Sequence, residues 1–587
     1  RHLAVWRSVS HNPKSLAYAK PLAQPRSTPV SHARVVVPPI DSQWAEYLML
    51  DAAQQNFGLL NPDPTEQKEL ARHMLARIHS PILSAEQLQF VASELGDTFI
   101  AALRESATDE QDFVQLLIDL ENHENAETGY TQHQLNQHYQ NLLWSDDPHD
   151  QQTAEQLDTH YRNANFRLAV SERLLNQMIP KLPELAEPIS DQILGAQVIG
   201  QSRIQNKLRV RLIPDNERIH MRLETVGNVR SNTTAKRSGF TILNEGFARF
   251  QVFKRLSISR NGVSSDRAVA VSSLRQRMIG MKSRLDPIPL VGWIARRIAH
   301  QQIEAQTPLA NRYAQKKLES AAEDRVQQAV EQQLLEFKDY LFENLMQPLI
   351  ALELEPDPIE MRTTHDRIVM RYRLAGRDQM AANTARPQAL ESSLLSMQFH
   401  QSAFNNLIAR IGLNGQKFTS QELQEHLSEV FASAQFDTEA AAKEAEFEFA
   451  QFDPIRVDFQ NHRINISLNL KSLRVADGKQ WKNLRVSLSY RPHVQGMQVV
   501  MIQDESGIRL TGRKLNFRDQ VAIRTIFTAL FRNEYNIECL PPHVLERMGS
   551  GDLVISQLIA TDGWIGLSVN DDAKARQSQI RPDLQRR

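Results

Sequence analysis

The sequence holds one cysteine, Cys539, in 587 residues, so no disulfide can close within a single chain. That fits a reducing compartment and does not exclude a bacterial envelope with few disulfides. No run approaches the roughly 20 apolar residues that a membrane-spanning helix needs. The most apolar short piece, PIPLVGWIARRIA, is too short and carries two arginines. The glycine motifs that cradle phosphates, G-x-x-x-x-G-K-[ST] and G-x-G-x-x-G, are missing, and so is the G-x-S-x-G elbow of a serine hydrolase. MGSGD at 548–552 reads as a glycine-rich turn before a strand. An excess of one charge is missing too: 68 Lys and Arg face 69 Asp and Glu, so the total points to no partner. These absences lead to an expectation of no cofactor, no metal and no enzymatic activity. The sequence begins at Arg1, which leaves open a processed or truncated form with its leader removed.

The charges that are present are segregated. Residues 41–160 carry 22 acidic and 4 basic residues, a net −18, while 201–300 carry 20 basic and 6 acidic, a net +14. Such a split steers partners or docks one segment on another; two solvated surfaces are the plainer account.

Length and patterning divide the chain into segments. Residues 1–40 read as a basic, proline-containing linker. Residues 41–185 read as an acidic helical domain. SQWAEYLMLDAAQQ places Trp44, Tyr47, Leu48 and Met49 near one face, and Ser84 caps a stripe of Leu88, Val91 and Leu95. DEQDFVQLLIDLENH and NFRLAVSERLLNQMIP continue the helical pattern, the second stopped by Pro180. Over 190–285 the period changes to two. Leu208, Val210 and Leu212 alternate with Lys207, Arg209 and Arg211, as one dry and one wet face of an antiparallel sheet require.

From 290 to 450 a long helix carries Val326, Val330, Leu334, Phe337, Leu341 and Leu345, and Pro348 ends it. The strand RIVMRYRLAG and short helices follow. Residues 451–570 return to strands at Ile464, Ile466, Leu468 and Leu470 and at Leu484, Val486, Leu488 and Tyr490. An amphipathic helix and two strands joined at Asp562-Gly563 close this part, and 571–587 form a polar tail. Strands do not alternate singly with helices. The predicted class is therefore α+β: an N-terminal all-α domain followed by long antiparallel sheets wrapped against amphipathic helices.

The candidate chemistry is thin. His400 and Ser402 invite a hydrolase reading, but Ser402 is better placed as a helix N-cap, with Gly412 ending that helix and Thr419 and Glu422 forming a capping box for the next. His133 and His138 are five apart, which misses the helical spacing of a metal pair. Phe240, Phe247, Phe250 and Phe253 would be the stacking aromatics of a nucleic-acid sheet. Phe250 and Val252 alternate as core residues do, however, and no RNP-like segment is present, so nucleic acid is not an expected partner.

The apolar faces are the richer signal. Helix and sheet either fill each other or stay apart around a groove suited to an acyl chain. The residues that would line such a groove are Phe404, Leu407, Ile408, Ile526, Phe527, Leu530 and Trp564.

One resemblance bears on this choice. The long helix ending in QPLIALELEP, the strand RIVMRYRL, the junction SMQFHQSAFNNLIARIGLNG and the C-terminal IRTIFTALFRNEYNIECLPPHVLERMGSGDLVISQLIATDGWIGLSV together resemble the tubular lipid-binding superfamily, the fold of bactericidal permeability-increasing protein and its relatives. The resemblance spans about 300–570. It implies a curved sheet around a helix with an apolar groove for lipid tails. It departs from the family in lacking the usual disulfide and in carrying the acidic helices. The function expected is lipid binding without catalysis, in an envelope setting, with the basic 201–300 region meeting acidic headgroups or the acidic helices. The alternative is a scaffold that makes protein–protein contacts and holds no ligand.

Overall fold

In the computed structural model, the alternation at Leu208, Val210 and Leu212 becomes one face of a 17-residue strand, Ala196–Leu212. The structure describes residues 42–540 apart from 58–62, 81–82, 84, 180–182, 238, 261, 285–288, 342, 344–346, 348, 350–351, 353, 355, 431–444, 477 and 513–514, and then 553–571. Ser84, Pro180, Leu345, Pro348, the linker 1–40, MGSGD and 572–587 lie outside the described residues, as do the side chains of Trp44, Phe337, Leu341 and Leu530.

Both helices and antiparallel sheets build the molecule, so the α+β class holds. Among the described residues the strands form three sheets. The first is a curled half-barrel. It orders Leu185–Ile193, Ala196–Leu212, Ile219–Arg237 and Phe240–Ser259, with Val269–Ser283 and Gly262–Ser265 also pairing to Phe240–Ser259. At about 3.3 Å per residue, its 20-residue strand runs roughly 65 Å. The inner face buries Val229, Ala248, Phe250 and Val252, and the outer face carries the charges. Gly227 sits directly opposite Phe250, whose ring lies where a Cβ at 227 would be, 2.3 Å away.

A 53-residue helix, Pro289–Leu341, lies against the concave side of this sheet. Leu318, Ala322 and Val326 pack on the buried inner face at four-residue spacing. The helix also satisfies the free edge of Val269–Ser283. Gln327 Oε1 accepts the backbone N–H of Ala268 (3.1 Å), Glu323 Oε1 that of Ala270 (2.8 Å), and Glu319 Oε1 that of Ser272 (2.9 Å). Four residues of helix rise about 6.0 Å and two residues of strand about 6.7 Å, so the two ladders stay in step. On the opposite edge of the sheet, Arg325 pairs with Glu187 (2.6 Å) and Lys317 with Asp191.

The central sheet runs Leu553–Thr561, Trp564–Asp571, Leu395–His400, Phe166–Ser171, Arg367–Leu374, Pro356–Thr363. Phe166–Ser171 corrects the reading of 41–185 as all helix. The stretch NFRLAVSERLLNQMIP opens as a strand, and only Glu172–Met178 is helical. Its period-two residues pair with Arg367–Leu374 and Leu395–His400, partners some 200 residues away that outweigh its local helical pattern. The stripe from Ser84 is also revised. Ser93 caps a second helix, Glu94–Ala107, by accepting from Gly96 N, and that helix buries Phe99 and Leu103 while Leu88 and Leu95 stay exposed.

The third sheet orders Lys417–Thr419, Ala445–Phe449, Arg463–Val475, Gln480–Gln495, Gln498–Gln503, Glu534–Glu538. Ile455–Gln460 pairs on Arg463–Val475, and Arg509–Thr511 on Gln480–Gln495. The helix Phe517–Leu530 covers one face of it.

The N-terminal helices are locked to the central sheet by buried arginines. Arg373 pairs with Asp158 (2.7 Å), and Arg162, 2% exposed, donates to Gly376 O (3.0 Å) and stacks on the Tyr139 ring (4.6 Å). Gly129 N donates to Asp453 Oδ2 (2.6 Å), an approach that a side chain at 129 would block.

Candidate ligand-binding site

Among the described residues, those put forward from the sequence stand in separate packing environments. Ile526 and Phe527 sit inside a packed core with Ile411, Leu413, Phe447 and Val486, and Ile408 packs against the same core. The apolar face of the helix Phe517–Leu530 is thus satisfied by the protein's own sheet, which corrects its assignment as groove lining. Trp564 is buried, edge-on to His400 (5.2 Å), with its Nε1 donating to Thr384 O (3.4 Å). Phe404 stands elsewhere, partly exposed, between Phe399 (5.7 Å) and Phe459 (5.6 Å). Leu407 beside it is half-buried.

His400 and Ser402 are fully buried, and the N-cap is His400 rather than Ser402. Its Nδ1 accepts from Ser402 N at 3.2 Å because the helix begins at Gln401, two residues earlier than a Ser402 cap requires. His138 Nε2 and Asp119 Oδ2 lie 3.1 Å apart, a hydrogen bond within the helices.

The curled sheet brings together residues that sequence reading did not join. The strands Ile219–Arg237 and Phe240–Ser259 meet in a tight hairpin at Gly239, φ +83°. Beside it ends the strand Val269–Ser283. At this tip Lys236, Arg237, Lys282 and Arg284 surround a pocket of about 370 Å³ over Phe240 and Thr241, and among the described residues no carboxylate lines it. Lys236 and Lys282 flank Thr241 in one cross-strand row. Arg237 is held by Gln306 of the long helix (3.1 Å). Lys236, Lys282 and Arg284 make no ion pair among the described residues.

The next inward row is Val198, Ala235, Ile242 and Met281, followed by Met278 beside Asn244. The tip therefore carries cations on both faces: Arg237, in register with Phe240, ends the apolar inner face, while Lys236 and Lys282 stand with Thr241 on the alternate, outer face. Further along the inner face lies Lys254, 1% exposed, donating to Asp266 O (2.9 Å) and Gln327 Oε1 (2.6 Å). Burial pushes its ammonium below the usual lysine range.

The outer face of the same sheet is also cationic. Arg203 lies directly opposite Arg230, Arg230 opposite Phe247, and Phe247 opposite Arg275. Like charges across a strand pair cost stability, and none of these arginines is ion-paired among the described residues. Phe247, exposed in their midst, carries the Arg249 guanidinium over its ring (5.7 Å).

No protein-family model matches the sequence, and no curated protein matches it. Among solved structures the chain is similar to a lipopolysaccharide binding protein, at 12% identity and a TM-score of 0.26 over 70% of this chain and 99% of that one, a weak likeness of fold.

Proposed function

We propose that the protein is a non-enzymatic binder of anionic amphiphiles. The reading is carried by one juxtaposition: Lys236, Arg237, Lys282 and Arg284, without an ion pair among the described residues, gather at the tip of a curled sheet whose inner face, ending in Arg237 and Phe240, continues in Val198, Ala235, Ile242 and Met281. An anionic headgroup takes charge-assisted hydrogen bonds from these cations. Its acyl chain lies on the inner face beside the long helix, at about 0.8 kcal/mol per methylene removed from water. The Arg203–Arg230–Phe247–Arg275 row suits the same chemistry from outside, since an anionic lipid surface offsets the repulsion within it.

Native mass spectrometry of the purified protein, followed by organic extraction, tests the proposal. A stoichiometric anionic lipid, diminished in Lys236→Glu/Arg284→Glu, is the expected result. Absence of any lipid together with failure to take up a fluorescent fatty acid overturns it.

A further inference from the structure

A second cavity, of about 640 Å³, lies far from the tip in sequence, between the turn that joins the helices Phe113–Asn125 and Gly129–Trp144 and the outward face of the third sheet. Its floor exists because that face alternates strictly. Val457, Phe459, Ile464, Ile466 and Leu488 point into the core behind it, leaving short polar side chains on the other side. Asp458, Asn465 and Ser489 form one cross-strand row, and Arg456, Ser467, Ser487 and Arg509 the next. Serines and asparagines are too short to reach the helix turn above them, so the space between stays open. The Asp562-Gly563 hairpin closes one end, both residues at positive φ (51° and 79°).

The charged groups of the wall are largely spent on one another. Glu127 accepts from the Gln132 amide (2.8 Å) and the Gln401 amide (3.2 Å) and pairs with Arg456 (3.5 Å). Burial alone would raise the Glu127 carboxyl, but His400, His123 and Arg456 outweigh it and hold it below the usual range. Asp453 is taken by Arg456 (3.2 Å) and Gly129 N, and Glu124 by the Tyr161 hydroxyl (2.6 Å).

Among the described residues the Arg509 guanidinium at the rim makes no ion pair, and two acceptors are unused. The carboxylate of Asp458 has no hydrogen bond or ion pair among the described residues. The side-chain oxygen of Asn383, a residue 7% exposed, is buried with no partner, its amide nitrogen being occupied by His123 Nε2 (3.2 Å). The cleft thus keeps polar groups that its own fold does not satisfy.

We infer that this cleft binds a neutral, hydroxyl-rich small molecule, a saccharide or cyclic polyol. Six amide and six hydroxyl side chains line it, and among the described residues no Phe, Tyr or Trp ring does, so its recognition is largely by groups that both donate and accept. Sugar hydroxyls match that two-way pattern: they donate to Asp458 and accept from the asparagine amides, Arg485 and Arg509. A polyanion would meet the wall carboxylates, and an apolar ligand would strip water from the amides without replacing it. The cavity has the size of a small-molecule site. The inference does not depend on the lipid reading, because the two sites share no residue.

The test uses the full chain, with glucose, galactose, mannose, N-acetylglucosamine, trehalose and inositol as probes, read by saturation-transfer NMR and calorimetry. Saturable one-to-one binding of at least one probe is expected. Asp458→Asn should weaken it about tenfold or more. Ser487→Leu, which fills the floor, should abolish it, and Lys236→Glu at the tip should leave it unchanged. Circular dichroism confirms that each variant folds. The inference falls if none of the six binds saturably, if binding survives both cleft variants, or if glycine or inorganic phosphate binds the cleft in place of every neutral probe.

Discussion

Glu323 Oε1 accepts the backbone N–H of Ala270 at 2.8 Å, so a helix side chain takes the part of a neighbouring strand's carbonyl. Glu319 and Gln327 repeat the arrangement one helical turn to either side, and Gln315 Nε2 donates back to Ser272 O (2.7 Å). An exposed strand edge is a template for association, and this ladder covers it. The same helix holds the far edge through Arg325 and Glu187, so one element fastens both margins of the curled sheet.

Replacing Glu323 with Ala therefore uncovers a strand amide in a partly buried setting. The expected cost is about 1–3 kcal/mol in chemical denaturation, with faster hydrogen exchange at Ala270 and Ser272. Glu323→Gln keeps an acceptor and should recover most of the loss. Equal destabilisation by both variants would show that the charge, not the hydrogen bond, matters at this edge.

Acid should loosen the N-terminal helices from the central sheet. Burial raises the Asp158 carboxyl, but Arg162 and Arg373, with hydrogen bonds from Arg373 and Tyr139, more than offset that and hold it below its usual value. A carboxyl depressed in the folded state contributes stability that is complete above the unfolded value near pH 4 and is lost as pH falls through the folded value. Asp158→Asn should cost about 1–3 kcal/mol at pH 7, a modest figure because a third of the side chain reaches solvent. The variant should also lose less stability than the wild type between pH 5 and pH 2, measured as the shift in urea midpoint. An unchanged acid dependence would place the acid-sensitive contact elsewhere.

Much of the local grammar was legible because it depends on few neighbours. The capping box at Thr419 and Glu422 forms both of its bonds (2.8 and 3.2 Å), Gly412 takes φ +76° after its helix, and Asp562-Gly563 makes the hairpin turn its residue types demand. The alternation at Ile464, Ile466, Leu468 and Leu470 does become a strand. The tip was not legible, since Lys236 and Lys282 are 46 positions apart and only the hairpin and the strand beside it put them in one row. The polar cleft was hidden for a related reason. Asp458, Asn383 and the 123–128 turn belong to three distant segments, and short polar residues on a strand look like a wet face until a helix turn is found above them. The groove expected at Ile526 and Phe527 failed on a point that amphipathicity does not encode: an apolar face records that something covers it, not what.

That failure has a measurable consequence. Phe527 is fully buried, so Phe527→Ala should destabilise by about 3–5 kcal/mol while leaving fatty-acid uptake per folded molecule unchanged. Phe404, 37% exposed, should cost only about 1–2 kcal/mol when cut to Ala. A Phe527→Ala protein that keeps its stability but loses lipid would restore the groove at this helix.

The cationic tip and the outer arginine row predict separable effects on anionic vesicles. Lys236→Glu/Lys282→Glu alters tip residues that no ion pair holds among the described residues, so stability should move by no more than about 0.5 kcal/mol. Binding to anionic vesicles should weaken, and the dependence of binding on salt should flatten, because fewer charges then meet the surface. Arg203→Glu/Arg275→Glu should weaken vesicle binding as well, and Arg203→Gln alone should slightly stabilise the fold by relieving its opposition to Arg230. The two sets differ in what they do to lipid that copurifies. Tip variants should reduce it, since the headgroup loses its partners. Outer-row variants should leave it in place, since they lie along the convex face away from the tip pocket. Co-sedimentation and lipid extraction on the same preparations separate these outcomes, and a tip variant that keeps its full lipid complement would move the headgroup site away from the tip.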